Sequence, residues 1–311
     1  MASSRRLRWT FSGEEGAPVY APGAARTPRT LTADDIRIVY QPIVELGTGR
    51  VFAYEALTRC SVPELANPMV LFEQASAEKS TGRLGRLIRE AAVRGCPGHP
   101  LFVNIHPDEL AERWLVRPDD PLAFHDAGVF LEITETAAFQ YYDLVQGVLK
   151  EVCSRTGAQL VVDDFGAGYS NLRRIIDLEP QIVKLDRALV AGLDKSPRQQ
   201  CLVRHMVGLC GELGAQVVAE GIETPAELRA VREAGVGLGQ GYVLARPAFP
   251  PPLVENAARA SARPPRASPS KPAPRRSTPS PSKRSRPSTA PRPSAAPRAS
   301  STPRASLKPK R

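Results

Sequence analysis

The sequence predicts an α/β fold: a (β/α)8 TIM-like barrel whose first strand runs antiparallel to its neighbours. Eight segments are rich in apolar and β-branched residues, as strands buried on both faces are. Segments with helical spacing of apolar residues separate most of them over about 215 residues, which is typical of such barrels. Only a short turn around Gly47-Thr48-Gly49 separates the first two strands, whereas a parallel neighbour needs a crossover of about a dozen residues or more. The first pair is therefore expected to be an antiparallel hairpin.

The order of elements favours this barrel over the alternative, an open doubly wound sheet. The predicted strands occupy residues 36–46, 51–59, 101–105, 129–134, 159–165, 182–186, 216–221 and 237–245. The predicted helices occupy residues 68–77, 83–94, 108–114, 137–155 and 199–213, with others from about 171 and from 225. The last helix follows Thr224-Pro225-Ala226-Glu227, a capping box with proline at the first helical position. No GxGxxG or GxxxxGK(S/T) loop follows any strand, which disfavours the open sheet.

Composition divides the chain into three predicted parts: a flexible arm at 1–33, the barrel at 34–250 and a disordered tail at 251–311. From residue 257 onward, 13 prolines are mixed with Ser, Ala, Arg and Lys, and such a segment cannot bury enough apolar surface to fold. Of the 42 Lys and Arg residues, 15 lie at 257–311, which has no Asp or Glu, so 27 remain against 32 acidic residues. The net charge of +10 therefore combines an acidic body with a basic tail.

The cysteines and the hydropathy pattern indicate a cytoplasmic protein. The 5 cysteines are odd in number and scattered, and no CxxC spacing occurs, which disfavours a disulfide framework or a zinc site. No run approaches the roughly 18 consecutive apolar residues of a transmembrane helix. A reduced cytoplasm without a membrane-spanning segment is the expectation.

Polar side chains end nearly every predicted strand, where the strands of a barrel converge on one mouth. They are Glu55, Asn104, Glu132, Glu135, Asp163, Asp164, Lys184, Glu220, Glu223 and Gln240. So many carboxylates around one pit repel one another unless cations hold them together. Because the set lacks His and Cys, it suits Mg²⁺ or Mn²⁺ better than zinc. The plainer interpretation, helix N-capping, suits any one acidic residue, but it is harder to apply to seven strand ends together.

Two such ions would support one class of reaction, the hydrolysis of phosphodiesters. A pair of divalent cations can clamp the attacking and leaving oxygens of a phosphodiester and activate a bridging water, and a neighbouring lysine can orient that water or offset phosphate charge. The residues by themselves therefore suggest phosphodiester hydrolysis as a reaction class.

The motifs around these residues resemble those of the EAL-domain cyclic di-GMP phosphodiesterases, over about residues 36–247. The matching segments are YQPI at 40–43, EALTR at 55–59, VNIHP at 103–107, EITE at 132–135, DDFGAGYSNL at 163–172, KLD at 184–186, AEGIET at 219–224 and QGYVLARP at 240–247. The tripeptide EAL alone does not identify the family, but the eight segments in this order are highly specific for it. The implied reaction opens cyclic di-GMP to linear pGpG.

The resemblance also implies roles for individual residues. Two divalent cations would be held by Glu55, Asn104, Glu132, Asp163, Asp164 and Glu220, with Asp163 as a bridge. Lys184 would contact the nucleophilic water, and Gln240 would hold water or substrate. Glu135 steadies the DFGAG loop in family members, and Glu223 is often required. Arg59 resembles the residue that meets a substrate phosphate, and Gln41 lies near the nucleotide. The candidate catalytic residues are thus Glu55, Lys184, Glu220, Glu135 and Glu223, and the candidate substrate-binding residues are Gln41, Arg59 and Gln240.

Some positions depart from the family pattern. CSVPELANP follows EALTR where an aromatic residue and a proline-glycine turn are common, so the wall around one guanine is expected to differ. His106 stands where serine is common; a substrate contact and a structural role are both open, and the structural role is favoured. Asn171 replaces a frequent second serine as a variant helix start. Gly166 and Gly168 suit a loop passing close to the metals, which leads to the hypothesis of a mobile gate linked to a homodimer.

Two other functions stay open at this point. One is a non-catalytic receptor that binds cyclic di-GMP and passes the signal on. The other is an adaptor that acts through the basic tail, whose dispersed Arg and Lys are typical of arms that bind nucleic acid or anionic lipid without sequence preference. A solubilising extension explains the tail equally well.

Overall fold

A computed structural model of the 311-residue chain describes residues 26–112, 115–166 and 177–254, and they contain a closed barrel of eight strands in sequence order. The strands are β1 Ile36–Glu45, β2 Val51–Cys60, β3 Leu101–Asn104, β4 Val129–Thr134, β5 Gln159–Phe165, β6 Ile182–Leu185, β7 Gln216–Ala219 and β8 Leu238–Gly239. β1 pairs antiparallel with both β2 and β8, and all the other neighbours pair parallel. The predicted barrel with an antiparallel first strand is confirmed.

Helices follow most strands. They are α1 Pro68–Ala77, α2 Thr81–Gly95, α3 Pro107–Ala111, α4 Glu135–Gln140, α5 Tyr142–Leu144, α6 Lys150–Thr156, α7 Arg187–Val190, α8 Pro197–Glu212 and α9 Pro225–Glu233. α1 occupies its predicted residues, since Pro68 starts it and the Asn67 side chain accepts from the Met69 amide at 2.9 Å. At the start of α9, the Thr224 and Glu227 side chains accept from each other's amides at 3.2 and 3.0 Å, so the predicted capping box is present.

The segment predicted as one helix at 137–155 is instead interrupted. Tyr141 leaves helical geometry, with φ −109° and ψ 32°, and a π-helical turn at Val145–Leu149 separates α5 from α6. Gly147 within this turn has a low helix propensity, so a regular helix is poorly favoured there. The predicted helix from about residue 171 and the end of the one at 108–114 lie outside the described residues.

The last strand is shorter than predicted because the chain leaves the sheet after Gly239. The Ile222 amide donates to the Gln240 carbonyl at 3.1 Å, and the Val243 amide donates to the Ile222 carbonyl at 3.1 Å. A Cβ on Gly241 would overlap the Ile222 backbone, so glycine permits this close approach. The chain thus exchanges strand pairing for contacts with the loop after β7.

The barrel interior is an apolar layer to which every strand contributes one side chain. Its members are Ile43, Ala53, Phe102, Phe130, Val161, Ile182, Val218 and Leu238. The Phe102 and Phe130 rings stack with centroids 4.3 Å apart. This layer forms the floor on which the polar residues of the mouth stand.

A buried ionic cluster lies outside the barrel. Arg89 of α2 donates to both carboxylate oxygens of Asp120 through Nε, at 3.2 and 3.0 Å, and it also pairs with Glu109. All three side chains are at most 4% exposed. Glu109 accepts from the His106 amide at 3.2 Å, so the cluster fixes the connection from β3 to α3. Gly85 makes room for it, because a Cβ there would overlap the Glu109 carboxylate.

The ends of the described region are also in contact with the barrel. Leu31 is fully buried, and its carbonyl accepts from Arg83 Nη2 at 2.8 Å. The Tyr54 hydroxyl donates to the Pro252 carbonyl at 3.1 Å. Most of the predicted arm and of the predicted tail lies outside the described residues. Among the residues described, no helix combines the length and the apolar character needed to cross a membrane.

Replacing Arg89 by methionine is expected to lower the free energy of unfolding by about 3–5 kcal/mol, because Glu109 and Asp120 would stay buried without their cation. Denaturant unfolding followed by circular dichroism measures the change. Arg94→Met is the matched control: Arg94 pairs with Glu90 at 2.6 Å on the surface, and its loss should cost at most about 1 kcal/mol. Equal losses in the two variants would contradict the expectation.

Candidate metal and catalytic site at the barrel mouth

Each strand contributes one polar side chain two residues beyond its apolar interior residue, in the direction of the mouth. Because side chains alternate between the two faces of a strand, these polar groups form a second layer directly above the apolar one. On the reversed strand β1, the same step runs backward along the chain, from Ile43 to Gln41. In barrel order the layer consists of Gln41, Glu55, Asn104, Glu132, Asp163, Lys184, Glu220 and Gln240.

Lys184 lies at the centre of this layer. Its Nζ is 2.6 Å from oxygens of Glu132 and Glu220, 3.2 Å from Asp163 and 3.6 Å from Glu55. The side chain is 1% exposed. Although burial opposes its charge, the four carboxylates raise the pKa of Lys184 well above its usual range. The ammonium form is therefore maintained at every physiological pH.

The carboxylates outnumber this cation, and the raised pKa values of three of them show that their ionised forms are destabilised. Burial raises the pKa of Glu132 well above its ordinary value, although Lys184 opposes the shift. Burial likewise raises the pKa of Glu220 to about 8, with the Asp163 and Glu55 charges adding to the effect. Burial and the neighbouring Asp163 also raise the pKa of Asp164. One ammonium is insufficient for this group, and further positive charge would stabilise the ionised forms.

Two amide side chains join the carboxylates. Asn104 lies with its amide nitrogen 3.3 Å from Glu55 and 3.1 Å from Glu132. Gln240 donates to Glu55 at 2.6 Å, and its buried Oε1 has no hydrogen-bond partner among the described residues. These contacts bring both amide side chains into the carboxylate cluster.

Asp163 and Asp164 reach the same site although they are adjacent in β5. In a regular strand, neighbouring side chains point to opposite faces. Here the pairing register with β6 shifts between Val162 and Phe165, and Asp164 adopts a left-handed φ of +56°. The Asp164 amide donates to Asp163 Oδ1 at 2.9 Å. The irregularity thereby turns both carboxylates toward the mouth.

The donor set fits a hard divalent cation. Carboxylate oxygens of Asp163, Asp164 and Glu220 all lie within 4.8 Å of one another. Glu55, Glu132 and Asn104 are linked to the same cluster through Lys184 or through each other. Oxygen ligands in this number, with excess negative charge, are those that Mg²⁺, Mn²⁺ and Ca²⁺ prefer.

Glu135 lies outside the cluster and contacts Gly166, just after the end of β5. Its Oε2 accepts from the Gly166 amide at 3.0 Å, and the side chain is buried. Gly166 has φ +98°, and a Cβ there would approach Leu189 Cγ to 3.1 Å and overlap Cδ1. Gly168 and Asn171 lie outside the described residues.

The remaining predicted residues line two cavities that have Leu57 as a common lining residue. Arg59 lies at the edge of the larger one, of about 760 Å³, where His106 stacks on Phe72 with ring centroids 5.4 Å apart and 3° between the planes. Gln41 and Glu223 line the smaller one, of about 280 Å³, together with Glu55 and Glu220. Arg59 and Glu223 are therefore rim residues, separate from the carboxylate cluster.

Some lining residues could not be found from the strand ends. Phe72 and Met69 lie on α1, whose apolar spacing indicates only a packed helix, and the fold brings them to the larger cavity. Arg187 follows Asp186, the residue after β6, and lines the smaller cavity. Its place after KLD was the available signal, since residues just beyond a barrel strand tend to face the mouth.

The fold and site define a class: (β/α)8 barrels with a reversed first strand and a carboxylate cluster at the mouth. The family model described as EAL domain matches residues 24–247. The chain therefore belongs to the EAL-domain family.

Characterised relatives give this family a biochemical context. The chain is 32% identical over 247 residues to the cyclic di-GMP phosphodiesterase RocR of Pseudomonas aeruginosa, covering 73% of this chain and 61% of RocR. It is 32% identical over 232 residues to the Escherichia coli phosphodiesterase PdeR, covering 70% and 35% respectively. Klebsiella pneumoniae BlrP1, solved with manganese and cyclic di-GMP, superposes with a TM-score of 0.61 at 32% identity, covering 70% of this chain and 57% of BlrP1. The chain thus spans about a third to three fifths of the length of these proteins.

For a site that hydrolyses cyclic di-GMP, Gly166→Ala is expected to lower turnover with Mg²⁺ at least about tenfold, because the new Cβ meets Leu189 and disturbs the Gly166 backbone, whose amide donates to Glu135. Gly147→Ala is the control, since a Cβ there has no atom within 4 Å. Cyclic di-GMP hydrolysis by the two purified variants provides the comparison. Full turnover by Gly166→Ala would contradict the hypothesis that the loop after β5 gates the site.

Proposed function

We propose that this protein is a phosphodiesterase that hydrolyses cyclic di-GMP to linear pGpG, using two Mg²⁺ or Mn²⁺ ions. The observation that carries the proposal is the ring of carboxylates around Lys184 above the apolar barrel floor. The family relationship supports it, because RocR and PdeR are cyclic di-GMP phosphodiesterases, and BlrP1 was solved with that nucleotide and manganese.

The ions would be held by oxygen atoms of Glu55, Asn104, Glu132, Asp163, Asp164 and Glu220, with Asp163 as the shared ligand. When bound, such a pair supplies an activated water nucleophile and stabilises the charge on the attacking and leaving oxygens. For Asn104 to serve as a ligand, its amide must present Oδ1, whereas in the structure Nδ2 faces Glu55 and Glu132.

The chain's own residues orient the reactants. Lys184, whose Nζ lies within 3.6 Å of four carboxylates at the centre of the cluster, would donate a hydrogen bond to the nucleophilic water. Attack of that water on phosphorus forms a new P–O bond and breaks the bond to O3′, which takes up a proton; the product carries a 5′-phosphate and a free 3′-hydroxyl. Gln240, whose Oε1 lacks a partner among the described residues, accepts from water or substrate.

The two cavities suit a substrate with two bases. Leu57 and the adjoining part of β2 lie between them, and the larger and smaller spaces measure about 760 and 280 Å³. A cyclic dinucleotide with one phosphodiester at the metal centre would place a base on each side. Arg59, exposed at the rim, would meet a substrate phosphate, and Gln41 would lie beside the nucleotide in the smaller cavity.

A receptor that binds cyclic di-GMP without turnover is the second candidate. Binding alone has no need of a full set of carboxylates at the mouth. The raised pKa values of Glu132 and Glu220 show that this arrangement is costly without additional positive charge. Hydrolysis is therefore favoured over a pure receptor.

The purified chain, incubated with cyclic di-GMP and Mg²⁺ or Mn²⁺, is expected to form pGpG, measured by chromatography. Glu55→Ala and Asp163→Ala should each lower the rate about 100-fold or more, because each removes a metal ligand. Glu64→Ala, an exposed glutamate on the surface, is the control and should keep the full rate. EDTA should abolish product formation, and Mn²⁺ should restore it.

Binding of cyclic di-GMP without any metal-dependent product would decide for the receptor. Equal rates in Glu55→Ala and in the control would show that the metal centre lies elsewhere.

We further propose that the basic segment at 257–311 binds nucleic acid or anionic membrane surfaces through its 15 Lys and Arg residues. Binding to a fluorescent DNA duplex, to RNA and to acidic vesicles should weaken at least about tenfold between 50 and 200 mM salt. A chain ending at residue 256 should not bind. Binding that is insensitive to salt, or that survives the deletion, would instead favour a solubilising extension.

The chain is also proposed to act in the cytoplasm as a homodimer, with residues 34–250 as the catalytic unit, an arm before it and the basic tail after it. The gating hypothesis for the loop after β5 motivates the dimer. Sedimentation equilibrium should give a mass near twice the 33.7 kDa of one chain, and a value of 33.7 kDa at all protein concentrations would contradict it.

A further inference from the structure

Arg187, the first residue of α7, lies at the rim of the smaller cavity, and no function is assigned to it by the motifs. It lines that cavity together with Glu223, Tyr242, Gln41 and Gln240. Its Nη2 lies 2.8 Å from Glu223 Oε1, and the two side chains are 61% and 42% exposed.

The loop between β7 and α9 holds this arginine at two points. Glu223 pairs with the guanidinium. Gly221, with φ +63°, leaves space for the aliphatic stem: a Cβ there would lie 2.5 Å from Arg187 Cγ and 2.8 Å from its Cβ. An alanine at 221 would displace the stem, so the glycine allows Arg187 to lie across the loop.

Stability does not explain this arrangement. An ion pair this exposed contributes at most about 1 kcal/mol, because water screens both charges. The ion pair instead fixes the orientation of the Arg187 guanidinium. Glu223 occupies one edge of the planar guanidinium, which has five N–H donors, and leaves its other donors at the cavity rim.

We propose that Arg187 is a specificity-determining residue that donates hydrogen bonds to the O6/N7 edge of one guanine base of cyclic di-GMP, and that Glu223 is its positioning residue. This inference rests on the proposed function. A bidentate arginine contact to O6 and N7 is the commonest specific contact to guanine. Adenine carries an N6 amino donor in place of O6, so the same arginine disfavours adenine.

The position of the cavity supports a base at this place. Glu55 and Glu220 line both the cavity and the carboxylate cluster, so the cavity opens directly from the reacting centre. With a volume of about 280 Å³, it has room for one base and not for a whole cyclic dinucleotide. A nucleotide whose phosphate lies at the centre therefore places its base within reach of Arg187.

The test compares full-length Arg187→Met with Arg94→Met, whose native arginine forms an equally exposed ion pair, 66% and 43%, away from both cavities. Initial rates with Mn²⁺ are measured on cyclic di-GMP and on bis(p-nitrophenyl) phosphate, which has no base. Arg187→Met should raise KM for cyclic di-GMP about tenfold or more, with kcat and the rate on the small phosphodiester unchanged. Arg94→Met should leave KM for cyclic di-GMP and the rate on the small phosphodiester unchanged.

Two further measurements separate the proposed role of Arg187 in base recognition from that of Glu223 in positioning Arg187. The preference of the wild type for cyclic di-GMP over cyclic di-AMP, measured by calorimetry, should fall about tenfold in Arg187→Met. Glu223→Gln should raise KM less than Arg187→Met, and the double variant should be no worse than Arg187→Met, because Glu223 acts through Arg187.

An unchanged KM, or an equal loss on both phosphodiesters, would overturn the role of Arg187. An unchanged preference for guanine would do the same. If the wild type hydrolyses neither compound, the proposed function fails, while the calorimetric comparison of the two cyclic dinucleotides still decides the role of Arg187.

Discussion

The site depends on one geometric constraint, the two-residue alternation of side chains around a closed barrel. An apolar residue in each strand fixes the floor, and the residue two positions nearer the mouth must then belong to the layer above it. A one-residue slip of any strand would exchange its polar group with a residue facing the helices. Closure prevents such a slip, because every strand is paired on both sides. The reversed strand obeys the same rule, which is why Gln41 precedes Ile43.

This constraint also produces the electrostatics. The floor excludes water from below, so the carboxylates above it are desolvated, and burial is the largest cause of the raised pKa of Glu132 and of Glu220. Lys184 is placed by the same alternation from Ile182 and becomes the common counter-ion of four carboxylates. A carboxylate cluster with excess negative charge therefore follows from strand register.

The same reasoning explains what the sequence predicts well and what it does not. Strand-end residues such as Glu55 and Lys184 follow from the barrel pattern, because regular geometry decides their direction. Asp164 is different: regular alternation would turn it outward, and a register shift with a left-handed φ is needed to bring it in. The place of Arg187 depends on Gly221 and Glu223, which belong to another loop. Contacts between loops leave no periodic signal, so they are visible only in the structure.

The described residues contain two buried ionic clusters whose charge balance differs, and the difference argues for function at the second. Around Arg89, the two carboxylates are satisfied by one guanidinium and by the amides of His106 and Leu122. Around Lys184, four carboxylates share one ammonium, a fifth carboxylate, Asp164, lies beside them, and Gln240 Oε1 has no partner within the described region. A cluster that only stabilises the fold has no reason to exceed its own cations, since unbalanced buried charge is costly. The surplus of oxygen ligands at the mouth is best explained by a cationic ligand from outside the chain.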